Sequence, residues 1–151
     1  MKTIFKLIGF FVTSIGFFWS HLDLIRIYFS CKAKDDVFPE YFAAFPFVYK
    51  SQSLATSMAN EYYLLGILLN SIITTTLFLF IDSILSNFLK SKVSILSKIY
   101  LVFKLIILSF SLFNIYISYT FIREDNFRFK SDFREQVKEF NADCKLKIKV
   151  L

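Results

Sequence analysis

The sequence predicts an all-α integral membrane protein: three transmembrane helices with a small extramembrane cap from a long loop and the C-terminal tail. Three observations carry that expectation. Tyr62–Ile81, YYLLGILLNSIITTTLFLFI, runs for twenty residues without a charge between Glu61 and Asp82. As a helix it measures about 30 Å, the thickness of a bilayer's hydrocarbon core. Two further apolar runs, Ile4–Leu22 and Ile99–Ile122, are each interrupted by a single charge, Lys6 and Lys104. The third observation is composition. Of 151 residues 56% are hydrophobic and 20% aromatic, with 21 Phe against three Gly and two Pro, a load suited to lipid-facing helices and interfacial belts.

The first span, residues 4–22, follows Lys2 and ends in bulky Phe17, Phe18 and Trp19, where a cleaved signal peptide would need small residues. An uncleaved signal-anchor helix is expected. Gly9, Thr13, Gly16 and Ser20 recur at spacings of four, three and four, which places them on one stripe where helices can pack closely. Asp23 and Arg26 are spaced to form an interfacial ion pair.

Residues 23–61 form a long connection. CKAKDD (Cys31–Asp36) is polar, and VFPEYFAAFPFVY (Val37–Tyr49) is aromatic and broken by Pro39 and Pro46. A segment lying in the interface with its rings toward lipid is expected there, because proline interrupts a helix. SQSLATSMANE (Ser51–Glu61) is helix-compatible with a serine cap signal, so the second helix should begin before its span at 62–81. The third span is 99–122, with Lys104 near its end reaching for the headgroups. The polar tail 123–151 offers a short solvated helix, with Phe133, Val137 and Phe140 at helical spacing. It ends in CKLKIKVL, whose strict alternation is a strand signal. A lone strand needs a partner, either the Val37–Tyr49 region or another chain.

Three spans put the long loop and the tail on one side. The connection 82–98 carries Lys90, Lys92 and Lys98 against Asp82, whereas the long loop is slightly acidic. That asymmetry favours a cytoplasmic N-terminus. The tail pulls the other way with eight Lys and Arg, mixed with six acids. The expected location is the bacterial inner membrane, with loop and tail periplasmic or extracellular.

On that side stand both cysteines, Cys31 and Cys144, and an oxidising compartment would pair them and pin the tail to the loop. Asn70, Asn114 and Ser14 each lie eight residues from the outer end of their span, about 12 Å deep. With Thr74 and Ser111 they make an intramembrane polar layer, and Asn70 and Asn114 could hydrogen-bond between helices. Structural adhesion between helices is favoured over a substrate path.

Catalysis has no visible basis. His21 is the single histidine, so no conventional zinc or haem site can be assembled, and neither a glycine-rich phosphate loop nor a nucleophile elbow occurs. No cofactor is expected. The net charge of +6 flanks apolar runs instead of forming a patch, which suits anionic lipid headgroups better than nucleic acid. A small non-catalytic membrane protein is therefore expected, one that binds another membrane protein or a membrane-active toxin as accessory subunit or inhibitor. Small size, few spans and Phe- and Lys-rich composition are similar to immunity proteins of pore-forming bacteriocins. The contact surface would then include Tyr62, Tyr63, Tyr116 and Tyr119. The alternative is a subunit of a small transporter or channel, which with three helices requires a homo-oligomer.

Overall fold

The computed structural model describes residues 2–19, 25–32, 38–53, 59–90, 94–120 and 125–150. The chain is not all-α. In order come α1 (Lys2–Phe18), β1 (Ile25–Lys32), β2 (Tyr41–Ala44), β3 (Val48–Gln52), β4 (Asn60–Tyr63), α2 (Leu64–Lys90), α3 (Ser94–Thr120), β5 (Asn126–Arg128), α4 (Phe133–Glu139) and β6 (Asp143–Val150). The strands form one sheet in the order β5-β4-β3-β2-β1-β6. Its pairs are antiparallel except β4–β5, which is parallel.

The expectation of three spans is corrected to two. Leu64–Phe88 and Ile95–Thr120 are long and apolar enough to cross a membrane. α1 has 17 residues, about 25 Å and short of a hydrocarbon core. The remainder of the predicted first span, with Ser20 and His21, lies outside the described residues, as does any Asp23–Arg26 ion pair. α3 leaves Leu101, Phe103, Leu105, Ile106, Leu112 and Phe113 exposed along its length, a surface suited to lipid and costly in water.

The predicted loop at 23–61 is where the all-α expectation fails, and the reason is local. IRIYFSCK alternates apolar and polar residues and is rich in β-branched and aromatic side chains, the preferences of a half-buried strand. The described part of the aromatic segment 37–49 forms the β2–β3 hairpin. Pro39 precedes β2 and Pro46 sits in the tip of the β2–β3 hairpin, where the Phe45–Pro46 bond is cis. Both prolines are thus at strand ends, where no ladder hydrogen bond is lost. The helix start expected over Ser51–Glu61 is also replaced: Ser51 and Gln52 close β3, and Asn60 opens β4. Tyr62 and Tyr63 are the last residues of β4, so the second helix begins at Leu64 and continues past Ile81 to Lys90.

β4 runs straight into α2, which fixes the sheet to the membrane hairpin. One sheet face meets the helices: Phe18 of α1 and Ile67 of α2 pack with Ala43, Tyr49 and Tyr62, edged by Trp19, Tyr28 and Phe127. The other face carries Cys31, Phe38, Phe42 and Tyr63, and Phe133 and Val137 of α4, with Phe140 just beyond its end, cover it. The tail's short helix is therefore the lid of a second core. Asn141, with φ of 46°, turns the chain from α4 into β6, a left-handed position asparagine tolerates. α1 packs against both α2 and α3, which touch each other less.

Candidate functional site

Cys31 and Cys144 face each other in the β1–β6 register and form a disulfide across 113 residues. The terminal strand's partner is β1, not the 37–49 region. Among the described residues β6 is the outer edge of the sheet, paired over its whole length with Ile25–Lys32 on one side only. Its alternation puts Lys145 and Lys147 on one face and Leu146 and Ile148 on the other. The two apolar side chains are 60% and 68% exposed.

The β2–β3 hairpin hangs beside the first two turns of α2, held there by two residues. At Gly66 a Cβ would fall 1.9 Å from the Val48 carbonyl oxygen, so only glycine permits this crossing. One turn further, Asn70 accepts a hydrogen bond from the Phe47 N–H at 3.1 Å and donates from Nδ2 to the Phe47 carbonyl at 2.8 Å. Asn70 is thus spent on the hairpin tip, and the expected Asn70–Asn114 bond is not formed. Phe45 and Phe47 project from the tip and are exposed.

Above the hairpin a chain of polar groups crosses the sheet. Ser51 hydrogen-bonds the Tyr63 hydroxyl at 3.0 Å, and that hydroxyl donates to Glu61 at 3.0 Å. Glu61 pairs with Arg128 at 2.6 Å, and Arg128 with Asp132 at 3.0 Å. Burial pushes the Tyr63 hydroxyl above the usual tyrosine range, so it remains a donor at physiological pH. Tyr62 and Tyr63 are both wholly buried and cannot belong to a contact surface. Tyr116 and Tyr119 are exposed on α3.

Between the helices, the small residues of α1 meet polar residues of α2 and α3. A Cβ on Gly16 would lie 2.6 Å from the Ser111 carbonyl oxygen, whereas Gly9 faces open space. Ser111 Oγ donates to the Thr13 carbonyl at 3.1 Å, Ser118 Oγ to the Trp19 carbonyl at 3.0 Å, and Thr75 Oγ1 to Ser14 Oγ at 3.2 Å. Thr13 bonds its own helix at the Gly9 carbonyl, 2.9 Å away. Thr74 and Asn114 are buried as well, and the Thr74 Oγ1, Ser71 Oγ and Asn114 Oδ1 atoms have no hydrogen-bond partner.

The strongest electrostatic feature lies at the far end of the bundle and escaped the sequence reading. Asp82 is 1% exposed. Its Oδ1 accepts from Lys104 Nζ at 3.0 Å and from the Tyr100 hydroxyl at 2.9 Å, and its Oδ2 pairs with Lys6. One carboxylate so ties α2 to α1 and α3. Lys104 does not reach for headgroups, and Asp82 does not end the helix: compensated by two cations, it lets α2 run on to Lys90. The readable signal was three isolated charges of complementary sign, each within or at the edge of an apolar run.

Together these features define a hairpin of two helices long and apolar enough to cross a membrane, carrying a disulfide-closed mixed sheet. No family profile, curated protein or solved structure matches the chain. Among the described residues no group of three His, Cys, Asp or Glu side chains is placed to hold a metal ion.

Proposed function

We propose that this chain is a non-catalytic inner-membrane protein whose outer cap binds another membrane protein, most specifically a membrane-active toxin that it neutralises. The observation that carries the reading is the β6 edge. Eight consecutive residues pair on one side only, and Leu146 and Ile148 stand exposed beside lysines. The free backbone groups of an edge strand are a template for a partner strand. The register brings the Ile25 and Val150 ends of β1 and β6 to the side of the sheet where the hairpin tip meets α2. The edge is therefore offered close to the membrane surface, where a partner in the same bilayer can reach it. In this reading the α2–α3 turn is cytoplasmic, and the sheet is outside, where its cysteines are oxidised.

The test is deletion of the gene followed by challenge with the toxins encoded beside it. Sensitisation, reversed by the intact chain but not by the Leu146→Glu/Ile148→Glu variant, supports the proposal. Unchanged sensitivity to each of those toxins contradicts it.

A second reading, as a subunit of an oligomeric transporter or channel, draws on the unpartnered buried atoms of Ser71, Thr74 and Asn114. It requires that Asn114→Leu abolish flux. A monodisperse monomer in detergent would speak against it.

A further inference from the structure

Which backbone groups the β6 edge offers follows from the ladder. The Cys31 N–H donates to the Glu40 carbonyl at 2.9 Å, on the β2 side of β1. In antiparallel pairing a residue that bonds to one neighbouring strand does not bond to the other, so Cys31 meets Cys144 as a non-hydrogen-bonded pair. Their Cα separation of 4.1 Å fits that closer class. Alternation along the register makes Phe29–Leu146 and Ile27–Ile148 unbonded pairs as well, and Ser30–Lys145 and Tyr28–Lys147 bonded ones. The free N–H and C=O groups on the outer side of β6 therefore belong to Cys144, Leu146 and Ile148. An antiparallel strand added there bonds to these residues, and its side chains come closest opposite Lys145 and Lys147.

Charge decides what those close positions accept. Lys147 pairs with Tyr28, which belongs to the sheet face that meets the helices. Lys145 shares that face, and the register continues the row with Lys149 opposite Arg26, and with Asp143 opposite Lys32 at its start. Asp143 is the one acid in this row. It lies 3.6 Å from Lys145, with the two side chains 74% and 76% exposed, and an ion pair so open to water holds weakly. Among the described residues Lys147 has no acidic partner. Glu135 and Glu139 belong to α4, which packs on the opposite face. Even with Asp143 assigned to Lys145, the row remains cationic.

We propose that the β6 edge takes an antiparallel partner strand in which acidic and apolar residues alternate, with carboxylates opposite Lys145 and Lys147 and apolar side chains opposite Leu146 and Ile148. This deepens the proposed function, and it rests on that reading in taking β6 as the contact surface. A second copy of this chain fits badly. Two-fold pairing centred anywhere from Lys145 to Ile148 sets lysine against lysine in the close positions, where like charges destabilise. Anionic headgroups would satisfy the lysines but leave the free backbone groups, and Leu146 and Ile148 on the other face, uncovered. An acidic–apolar strand meets all three at once.

The test uses the full chain, with its Cys31–Cys144 bond intact, in phosphatidylcholine nanodiscs. Three short monomeric peptides alternate valine with glutamate, with serine or with lysine. The glutamate peptide should bind about tenfold more tightly than the serine peptide, the effect of two cross-strand charge pairs, and the lysine peptide should not bind. Added salt should narrow the difference, because the pairs are exposed. Lys145→Glu/Lys147→Glu should reverse the order of the glutamate and lysine peptides. Binding should slow amide exchange at Leu146 and Ile148 and leave Lys145 and Lys147, already bonded to β1, unchanged. Equal affinities for the glutamate and serine peptides would overturn the proposal, as would binding without protection of Leu146 and Ile148. Loss of glutamate-peptide binding in phosphatidylglycerol discs would assign the lysines to headgroups and overturn it too. The outcomes separate this inference from the toxin reading. Glutamate-selective binding combined with unchanged toxin sensitivity on gene deletion supports the strand site and contradicts the toxin. Protection from toxin that needs Leu146 and Ile148, without selectivity for glutamate, keeps the edge as contact surface and overturns the acidic partner.

Discussion

Single residues decide how closely the cap sits on the membrane helices. Gly66 has no space for a side chain against the Val48 carbonyl, while Gly9 looks into open space. Gly66→Ala should therefore destabilise by about 2–3 kcal/mol, the cost of overpacking against atoms that cannot move aside. Gly9→Ala should be close to neutral, and thermal melts in detergent compare the two directly. Asn70→Leu removes both bonds that hold Phe47 and leaves a peptide N–H and carbonyl unpaired, costing about 1–3 kcal/mol. Asn114→Leu should be tolerated better, since its Oδ1 already lacks a partner. The same residues show why the sequence was legible only in part. The depth of Asn70 could be counted from the end of its span, but its partner could not. That partner is a backbone segment more than twenty positions earlier, brought near by a hairpin in a stretch expected to lie along the interface.

At the scale of elements, the helix-bundle end opposite the cap rests on one buried carboxylate. The lysines around Asp82 are 39% and 30% exposed, so each can turn its ammonium toward the interface, while Asp82 at 2% cannot move out. The consequences of mutation are unequal. The Lys6→Met/Lys104→Met variant strands a buried charge and should lose about 3–5 kcal/mol. Asp82→Asn should lose clearly less, and chemical denaturation in mixed micelles measures both. Apolar runs were readable because hydrophobicity is local. The terminal strand was readable because its alternation is strict. Of the other five strands, β1 is as long as β6, whereas β2, β4 and β5 have four residues or fewer. Strands of that length leave little periodicity, and their identity comes from the ladder they join.

For the whole molecule, the sheet joins residues that the helical hairpin separates. The disulfide closes a loop of 113 residues that contains both membrane helices. A loop of that size is worth up to about 4–5 kcal/mol in the chain-entropy description. A Cys31→Ser/Cys144→Ser variant should keep its membrane integration and release β6, read as protease cleavage near the C-terminus at concentrations that leave the parent chain intact. This pairing was legible in the sequence because any arrangement with an odd number of spans between them puts residues 31 and 144 on opposite sides, and an even number puts them together. Two helices long and apolar enough to cross a membrane, α2 and α3, separate them, and that count survives the correction of the first helix. The fold of the cap was not legible, because its two sheet faces are completed by parts of the chain on either side of the hairpin. The most direct measurement is labelling of Cys31 and Cys144 with a membrane-impermeant maleimide in intact cells, with and without prior reduction. Labelling that appears only after reduction, in cells that remain sealed, is the expected result for an oxidised cap outside the membrane. Labelling that needs lysis but no reductant would place the sheet in the cytosol with free thiols, and would contradict the outer cap on which the proposed function depends.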